Sequence, residues 1–338
     1  MMRAQFAILG AGAIGSILGA HLARAGHSVI LLARGDRARA LERDGLRIKG
    51  LAEFSVRVPV IIDAAQLQAA DTLIVAIKTP GTQAALARIA HVEVGAAFSI
   101  QNGILKDELL RQTFGAGRVL GALADTSGEL LPSGEVLFTR NVNLPLGELA
   151  GGVSERAGRI AGMIDRAGIR SSAVADIVSM EWSKFTVWLA LVSLAISTRS
   201  PTWSYLADPD CAAVLVQLVR EAASLARAQG IALTEGAAAL PLTKLLDVPE
   251  SEAVATVRKM GEDMRRHAPG HRMSALQDLE AGRPLEVEET FGYAVRRAAD
   301  LGLSLPLVQA FHHLLAGIDR LRPLGPSQEP LRRGTSFP

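Results

Sequence analysis

The feature that most constrains this chain is a glycine-rich segment near its start. The sequence reads Gly10-Ala-Gly12-Ala-Ile-Gly15, directly after the apolar run Phe6–Leu9, and helical periodicity follows as far as Gly26. In a strand–turn–helix unit of this kind, the first glycine permits the tight turn, the second lets a pyrophosphate approach the backbone, and the third lets helix and strand pack closely. The segment therefore predicts a dinucleotide-binding site. Its predicted cofactor-binding residues are Gly10, Gly12, Ala13, Ile14 and Gly15.

The rest of the first half predicts a parallel sheet whose two faces are both covered by helices. Continuous apolar runs without alternation are typical of such buried strands. Their positions are Phe6–Leu9, Val29–Leu32, Leu73–Ile77, Ala97–Ile100 and Val119–Leu123. Two alternating stretches around Gly50, Leu46–Lys49 and Phe54–Val60, predict a small half-exposed hairpin inserted in the sheet order. We therefore expect an α/β, Rossmann-like domain over residues 1–172.

From about Ser172 onward, long helical periodicity replaces the short strands and predicts an all-α domain over residues 173–321. Pro209, Pro249, Glu286 and Pro306 mark the expected helix starts. The apolar stretch Phe185–Ile196 is shorter than the roughly 18 to 20 residues that cross a bilayer, which indicates a buried helix. Residues 322–338, rich in proline and arginine, predict a disordered tail.

Composition narrows the possible partners. The formal charge is only +2 over 338 residues, which argues against a phosphate-binding surface and hence against nucleic acid as a partner. The lone Cys211 cannot form an internal disulfide, which fits the cytoplasm. Glycines interrupt the first apolar run, so we expect neither an export signal nor a membrane anchor. A small-molecule substrate is the expected partner, and a homodimer remains open.

The end of the second predicted strand indicates which nicotinamide cofactor is used. An NAD site would place Asp or Glu there, whereas this chain has Arg34. A guanidinium can bind the 2′-phosphate of NADP bidentately, with Arg37 as a second cation. We therefore predict NADP, carried as NADPH, with Arg34 as a cofactor-binding residue. The alternative is an arginine that merely ends a strand in water.

Two further polar positions follow predicted strands. Lys78 follows Leu73–Ile77, and Asn102 follows Ala97–Ile100. Both would lie at the carboxyl edge of the sheet, where open α/β folds bind ligands. Taken alone, they could equally be a solvated lysine and an Asn-Gly turn.

The helical half contains three candidates for chemistry, each with a simpler explanation. Lys184 stands at the polar start of the most apolar helix, where a partly desolvated ammonium becomes a better proton donor, but it could also lie along the helix end. Ser274 opens a capping box with Gln277, and Glu286 starts a helix after Pro284. No metal site is expected, because only His267 and His271 have ligand spacing.

The order of these segments resembles the ketopantoate reductase (2-dehydropantoate 2-reductase) family over nearly the whole chain. The family pairs an N-terminal Rossmann domain with a C-terminal helical domain. The matching segments are Gly10-Ala-Gly12-Ala-Ile-Gly15, Arg34, Val75-Ala-Ile-Lys78, Gln101-Asn102-Gly103, Glu181-Trp182-Ser-Lys184, Arg220-Glu221, Ser274-Ala-Leu-Gln-Asp278 and Glu286.

The resemblance implies roles for these residues in reducing a 2-oxo acid. NADPH would lie along the glycine loop with Arg34 at its 2′-phosphate, hydride would go to C2 of the substrate, and Lys184 would donate the proton. Glu286 would hydrogen-bond to the substrate, and Ser274 would contact its carboxylate. Lys78 and Asn102 would position substrate and nicotinamide. Glu221 matches a family acid, and its role stays open.

One departure from the family concerns the substrate-binding helix. Members usually have asparagines four and eight residues after the catalytic lysine, whereas this chain has Trp188 and Val192 as the corresponding substrate-binding positions. The expected activity is reduction of 2-dehydropantoate to pantoate, as in pantothenate biosynthesis. The alternatives are a related reductase of a more apolar 2-oxo acid or an imine, and a non-catalytic NADPH-binding sensor.

Overall fold

The computed structural model describes residues 2–322, so residues 323–338 of the predicted tail lie outside the described residues. The chain forms two compact units, of which the first ends at Glu181 and the second begins at Trp182. The division falls inside a helix, later in the chain than residue 172, where the sequence pattern changes.

The first unit contains both strands and helices. Its strands are β1 Met2–Leu9, β2 Val29–Leu32, β3 Leu46–Gly50, β4 Phe54–Val56, β5 Val60–Ile61, β6 Leu67–Val75, β7 Glu93–Ser99, β8 Leu120–Ala122, β9 Asp125–Leu130, β10 Val136–Glu148 and β11 Ser171–Ala173. Its helices are α1 Ala13–Arg24, α2 Gly35–Asp44, α3 Thr82–Ala87, α4 Leu105–Phe114 and α5 Glu155–Arg166.

Five of these strands form the parallel sheet that the sequence predicts. The order is β5-β2-β1-β6-β7, and every pairing is parallel. Side chains of β1 alternate between two apolar clusters, because successive residues in a strand point to opposite faces. Ile8 packs in a cluster with Ile17 of α1, while Ala7 packs in another with Leu110 of α4. Both faces of the sheet are therefore covered, and the α/β prediction for this half is confirmed.

The second sheet of this unit was not predicted, and it corrects the expected hairpin. Strands β3 and β4 do pair antiparallel. However, β3 also pairs with β10, so the hairpin belongs to this second sheet and is not inserted in the main one. The predicted strand Val119–Leu123 likewise becomes β8, which pairs antiparallel with β10 and reaches β7 only through one bridge at Val119. Alternation along a strand indicates a half-buried face but does not identify the partner strand.

The second unit is helical, as expected. Helix α6 crosses the division between the units, and the remaining helices follow it. The bounds are α6 Ile177–Thr198, α7 Thr202–Ala207, α8 Pro209–Ala228, α9 Thr243–Leu246, α10 Glu250–His267, α11 Ser274–Glu280, α12 Tyr293–Asp300 and α13 Pro306–Leu321. The predicted starts at Pro209 and Pro306 are confirmed, and Pro249 directly precedes α10. The segment predicted to start at Glu286 instead opens with a π-helical turn over Glu288–Gly292.

Helix α6 is longer than the twelve-residue apolar stretch that predicts it. It has 22 residues, and its most apolar 18-residue window reaches a mean hydropathy of 1.3, so length and composition alone would let it cross a membrane. However, 83% of that window is buried inside the fold. Burial of this extent is what the core helix of a globular protein shows.

Candidate active site

The predicted glycine loop requires glycine at two positions, at Gly10 because of its backbone conformation and close contacts and at Gly15 because of a close contact alone. Gly10 has a φ of 111°, and a Cβ added there would lie 2.8 Å from the backbone nitrogen of Ile77. A Cβ on Gly15 would lie 2.1 Å from the carbonyl oxygen of Gly10. By contrast, a Cβ on Gly12 would meet nothing within 4 Å. The loop is therefore tightly closed at both ends and open in the middle, where helix α1 begins.

Residue Arg34 lies two residues after the end of β2, at the N-cap of α2, and its side chain is exposed. Nearby Asp36 pairs with Arg39. Arg37, expected as a second cation for the 2′-phosphate, turns back toward the glycine loop and donates to the carbonyl of Ala11. Of the two predicted arginines, Arg34 is the one left exposed at the end of the strand.

The segment that carries Lys78 follows β6, the parallel neighbour of β1, and the segment that carries Asn102 follows β7, the parallel neighbour of β6. Both segments therefore lie at the same carboxyl edge of the sheet as the glycine loop, as predicted. Gln101 links them, because its amide nitrogen donates to Thr82 Oγ1 at 2.7 Å and its amide oxygen accepts from Ser99 Oγ at 2.9 Å. Lys78 is exposed, and Asn102 is half-buried.

A buried ion cluster, not predicted as such, lies close to this edge of the first unit. Lys106 Nζ lies 3.0 Å from Asp107 Oδ1 and contacts Glu181 Oε1, which also accepts from the Ala122 amide at 2.9 Å. Burial, and secondly Asp107, raise the pKa of Glu181 to about 8, against the opposing effect of Lys106. Burial opposes the charge of Lys106, but the two carboxylates outweigh it and raise the pKa of this lysine. Through Glu181, the cluster holds the N-terminal part of α6 three residues before Lys184.

In the second unit, three of the predicted substrate residues line a small cavity of about 10 Å³, the volume that one water molecule needs. Trp188 and Val192 line the cavity from α6, and Glu286 lines it from the segment that precedes the π-helical turn. Among the described residues, Lys184 and Ser274 are not in its lining, although Ala275, which follows Ser274, is. Lys184 is half-buried on α6, one turn before Trp188.

Several lining residues have no predicted role. Thr290 is fully buried, and its hydroxyl donates to the carbonyl of Glu286. Asp278 is buried and accepts from Arg283 Nε at 2.7 Å. Apolar side chains complete the lining, namely Ile196, Leu285, Val287 and Phe291. Spacing of four from Glu286 could have indicated Thr290, since a threonine hydroxyl commonly donates to the carbonyl four residues earlier, as it does here. Nothing in the sequence distinguishes Phe291 from other core residues.

The simpler explanation for Ser274 does not hold. Helix α11 begins at Ser274 itself, its N-cap is Met273, and no side chain caps it. The predicted partner Gln277 instead donates to the carbonyl of Arg272 at 3.4 Å. The Ser274 side chain is exposed, so no capping bond occupies its hydroxyl.

Glu221, whose role the sequence leaves open, has a structural contact. Its carboxylate accepts from the backbone amides of Leu307 at 3.0 Å and Val308 at 2.9 Å, in the first turn of α13. A carboxylate at this position satisfies amides that have no partner within the helix. Glu221 therefore caps α13.

The histidines with metal-ligand spacing are engaged elsewhere. His267 Nδ1 lies 2.9 Å from the carbonyl of Asp263, and His271 Nδ1 lies 3.0 Å from Thr202 Oγ1. Over residues 2–322, no group of three or more His, Cys, Asp or Glu side chains could hold a metal ion.

Comparison with known proteins gives two family matches along the chain. The family "Ketopantoate reductase PanE/ApbA" matches residues 6–151, and the C-terminal domain of the same family matches residues 176–319. The 2-dehydropantoate 2-reductase of Archaeoglobus fulgidus is 29% identical over 312 residues, which are 92% of this chain and 97% of that protein.

Solved structures agree with these matches. A PanE/ApbA family ketopantoate reductase from Ralstonia eutropha JMP134 superposes with a TM-score of 0.79 at 25% identity, covering 94% of this chain and 99% of that one. D-mandelate dehydrogenase, solved with NADH and anilino(oxo)acetate, reaches the same TM-score of 0.79 at 18% identity over 94% and 99% of the two chains, a likeness of fold. Because the two family matches span most of both units, this chain belongs to the ketopantoate reductase family of oxidoreductases acting on CH–OH groups.

Proposed function

We propose that this protein reduces a 2-oxo acid with NADPH, and that 2-dehydropantoate is the substrate. The observation that carries the proposal is the glycine loop of a family member, closed at Gly10 and Gly15 and open at Gly12. Backbone amides at the start of a helix favour an anion, and the open middle leaves room for a pyrophosphate. The residues present therefore fit a nicotinamide dinucleotide.

Two features of the chain support the choice of NADPH. Arg34 is exposed two residues after the end of β2, where a nucleotide ribose lies in this fold. No carboxylate precedes it on the strand Val29–Leu32 to bond a ribose hydroxyl. A bidentate guanidinium suits a 2′-phosphate better than a free 2′-hydroxyl. When bound, the cofactor supplies the hydride that reduces the carbonyl carbon.

The chain itself must supply the proton and orient the substrate. We assign the proton to Lys184, a half-buried ammonium on α6. A positioned acid of this kind typically contributes about 100- to 10,000-fold to the rate. Glu286, a buried carboxylate in the cavity wall, is suited to accept a hydrogen bond from a substrate hydroxyl. Lys78, Asn102 and Ser274 are assigned to hold substrate and nicotinamide.

The cavity lining favours a second candidate, a 2-oxo acid with an apolar side chain. Trp188 and Val192 form one wall, and Phe291 adds to the apolar lining. An apolar wall cannot pair with a hydroxyl, and a buried hydroxyl without a partner is costly. The candidate substrate of this kind is 2-oxoisovalerate, which has no hydroxyl to satisfy.

The test is NADPH oxidation by the purified protein with 2-dehydropantoate, 2-oxoisovalerate and larger apolar 2-oxo acids. Lys184→Ala should lower kcat by about 100- to 10,000-fold. Lys259→Ala, which removes an exposed lysine of α10, is the matched control and should retain full activity. Faster turnover of 2-oxoisovalerate than of 2-dehydropantoate would establish the second candidate. NADPH binding without turnover of any acid would contradict both and favour a non-catalytic sensor.

A further inference from the structure

Arg37 uses all three nitrogens of its guanidinium on the backbone and side chains around the glycine loop. Its Nε donates to the carbonyl of Ala11 at 2.9 Å, and Nη2 donates to Ser16 Oγ at 2.9 Å. Its Nη1 donates to the carbonyl of Gly134 at 2.8 Å. The side chain is therefore committed to these contacts and does not extend into solvent beside Arg34.

These contacts hold the loop against the first turn of α1. Ser16 is fully buried, and its own hydroxyl donates to the carbonyl of Ala11 at 3.0 Å. The Ala11 carbonyl thus accepts from both Ser16 and Arg37, which fixes the peptide between Ala11 and Gly12. That peptide carries the amide of the open middle glycine of the loop.

The third contact of Arg37, with the carbonyl of Gly134, connects the β9–β10 turn to the glycine loop. Gly134 lies in the turn between β9 and β10, where the amide of Leu131 donates to the carbonyl of Glu135 at 2.9 Å. Gly128 of β9 packs on α1, because a Cβ added there would lie 2.6 Å from the side chain of Ile17. Arg37 therefore joins α2, the β9–β10 turn and the glycine loop.

The charge of Arg37 has no anionic partner in the part of the chain that the structure describes. Its acceptors are two carbonyls and a hydroxyl, all neutral. Burial lowers the pKa of Arg37, but a guanidinium still remains protonated at neutral pH. A half-buried positive charge beside a helix N-terminus adds to the attraction for an anion there.

We propose that Arg37 is a positioning residue for the glycine loop that serves the pyrophosphate common to both nicotinamide dinucleotides, whereas Arg34 alone discriminates the 2′-phosphate. This inference rests on the proposed function, since it requires a dinucleotide at the loop. Binding of either dinucleotide is thereby assigned to Arg37, and the choice between the two is assigned to Arg34, three residues earlier.

The experiment measures Kd for NADPH and for NADH by fluorescence titration of the wild-type chain, Arg37→Ala and Arg34→Ala. Loss of the charge-assisted bonds in Arg37→Ala should weaken both nucleotides by the same factor, about 10- to 100-fold. The ratio of the two Kd values should not change. Arg34→Ala should weaken NADPH by about 10- to 100-fold and leave NADH unchanged.

Weaker binding of NADPH alone in Arg37→Ala would overturn the inference, because Arg37 would then be a 2′-phosphate ligand. Unchanged binding of both nucleotides would also overturn it. If Arg37→Ala does not fold, Arg37→Lys replaces it, because an ammonium keeps the charge but cannot make the three-way fork. This variant should weaken both nucleotides equally, by about tenfold. A wild-type chain that binds neither nucleotide would contradict the proposed function itself.

Discussion

The glycine loop after β1 and the cavity beside α6 are built by different means. The loop is defined by backbone, since a side chain at Gly10 or Gly15 would overlap neighbouring main-chain atoms. The cavity is defined by side chains, since Trp188 and Val192 of α6 line it together with Glu286, which precedes the π-helical turn. On the proposed function, a substitution at the loop would change whether any nucleotide fits, whereas a substitution at the cavity would change which substrate fits.

The difference explains why the two regions relate so differently to the family pattern. Backbone geometry tolerates almost no alternative residue, so the loop keeps the glycine spacing of the dinucleotide-binding unit. A cavity wall tolerates any side chain of suitable volume, so specificity can change there without loss of the fold. Trp188 and Val192 lie at the two positions where the resemblance to the family implies polar residues.

The largest expected effect tests the loop. Gly15→Ala places a methyl 2.1 Å from the Gly10 carbonyl oxygen, so the loop must open. We expect a loss of about 3 kcal/mol in unfolding free energy. For a domain of this size that lowers Tm by about 6 to 12 °C. Thermal unfolding measures the loss, and NADPH titration should show weaker binding.

Gly12→Ala is the matched control, because a methyl there meets nothing within 4 Å. It should leave Tm within about 2 °C of the wild-type value. Equal Tm values for Gly15→Ala and Gly12→Ala would mean that close backbone contacts at Gly15 do not define the loop.

The next effect tests the cavity. Val192→Asn replaces an apolar side chain of the lining with an amide, which on the proposed function would pair with the hydroxyl of 2-dehydropantoate. The ratio of kcat/KM for 2-dehydropantoate to that for 2-oxoisovalerate should rise by about tenfold or more. Val192→Leu, which keeps the wall apolar, should leave that ratio nearly unchanged. Equal ratios for both variants would mean that this wall does not select the substrate.

The sequence predicts the loop well and the cavity only in part. Gly10 and Gly15 are predicted because their role depends on neighbours only a few residues away. The contacts of Glu181 with Lys106 and of Glu221 with α13 join segments far apart in the chain, and local patterns do not report such pairs. The same limit explains the second sheet, since β3 finds its partner in β10.

A further effect concerns the buried cluster of Lys106, Asp107 and Glu181, which lies in neither the loop nor the cavity. The pKa of Glu181 lies near 8 in the folded chain, above its ordinary value of 4.5, so the folded form keeps a proton that the unfolded chain releases. Stability should therefore fall as pH rises from about 4.5 to about 8, by no more than about 1.4 kcal/mol per pH unit.

Urea unfolding near pH 6 and near pH 8 measures this dependence. Glu181→Gln should reduce it, because the amide does not titrate. Glu42→Gln, at an exposed position of α2, should leave it as in the wild-type chain. A dependence that is unchanged in Glu181→Gln would assign the titration to another group.

The π-helical turn at Glu288–Gly292 affects how this segment would respond to the insertion or deletion of one residue. Such a turn contains one residue more than an α-helical turn, so it is equivalent to a single inserted codon within a helix. Residues before the turn are rotated by about 100° relative to an uninterrupted helix. Val287, the helical residue of the cavity wall that precedes the turn, and Ala294 of α12 therefore belong to helical registers that differ by one residue. Loss of the codon for Glu288 or Glu289 would rotate Val287 away from the cavity and keep every side chain of its lining.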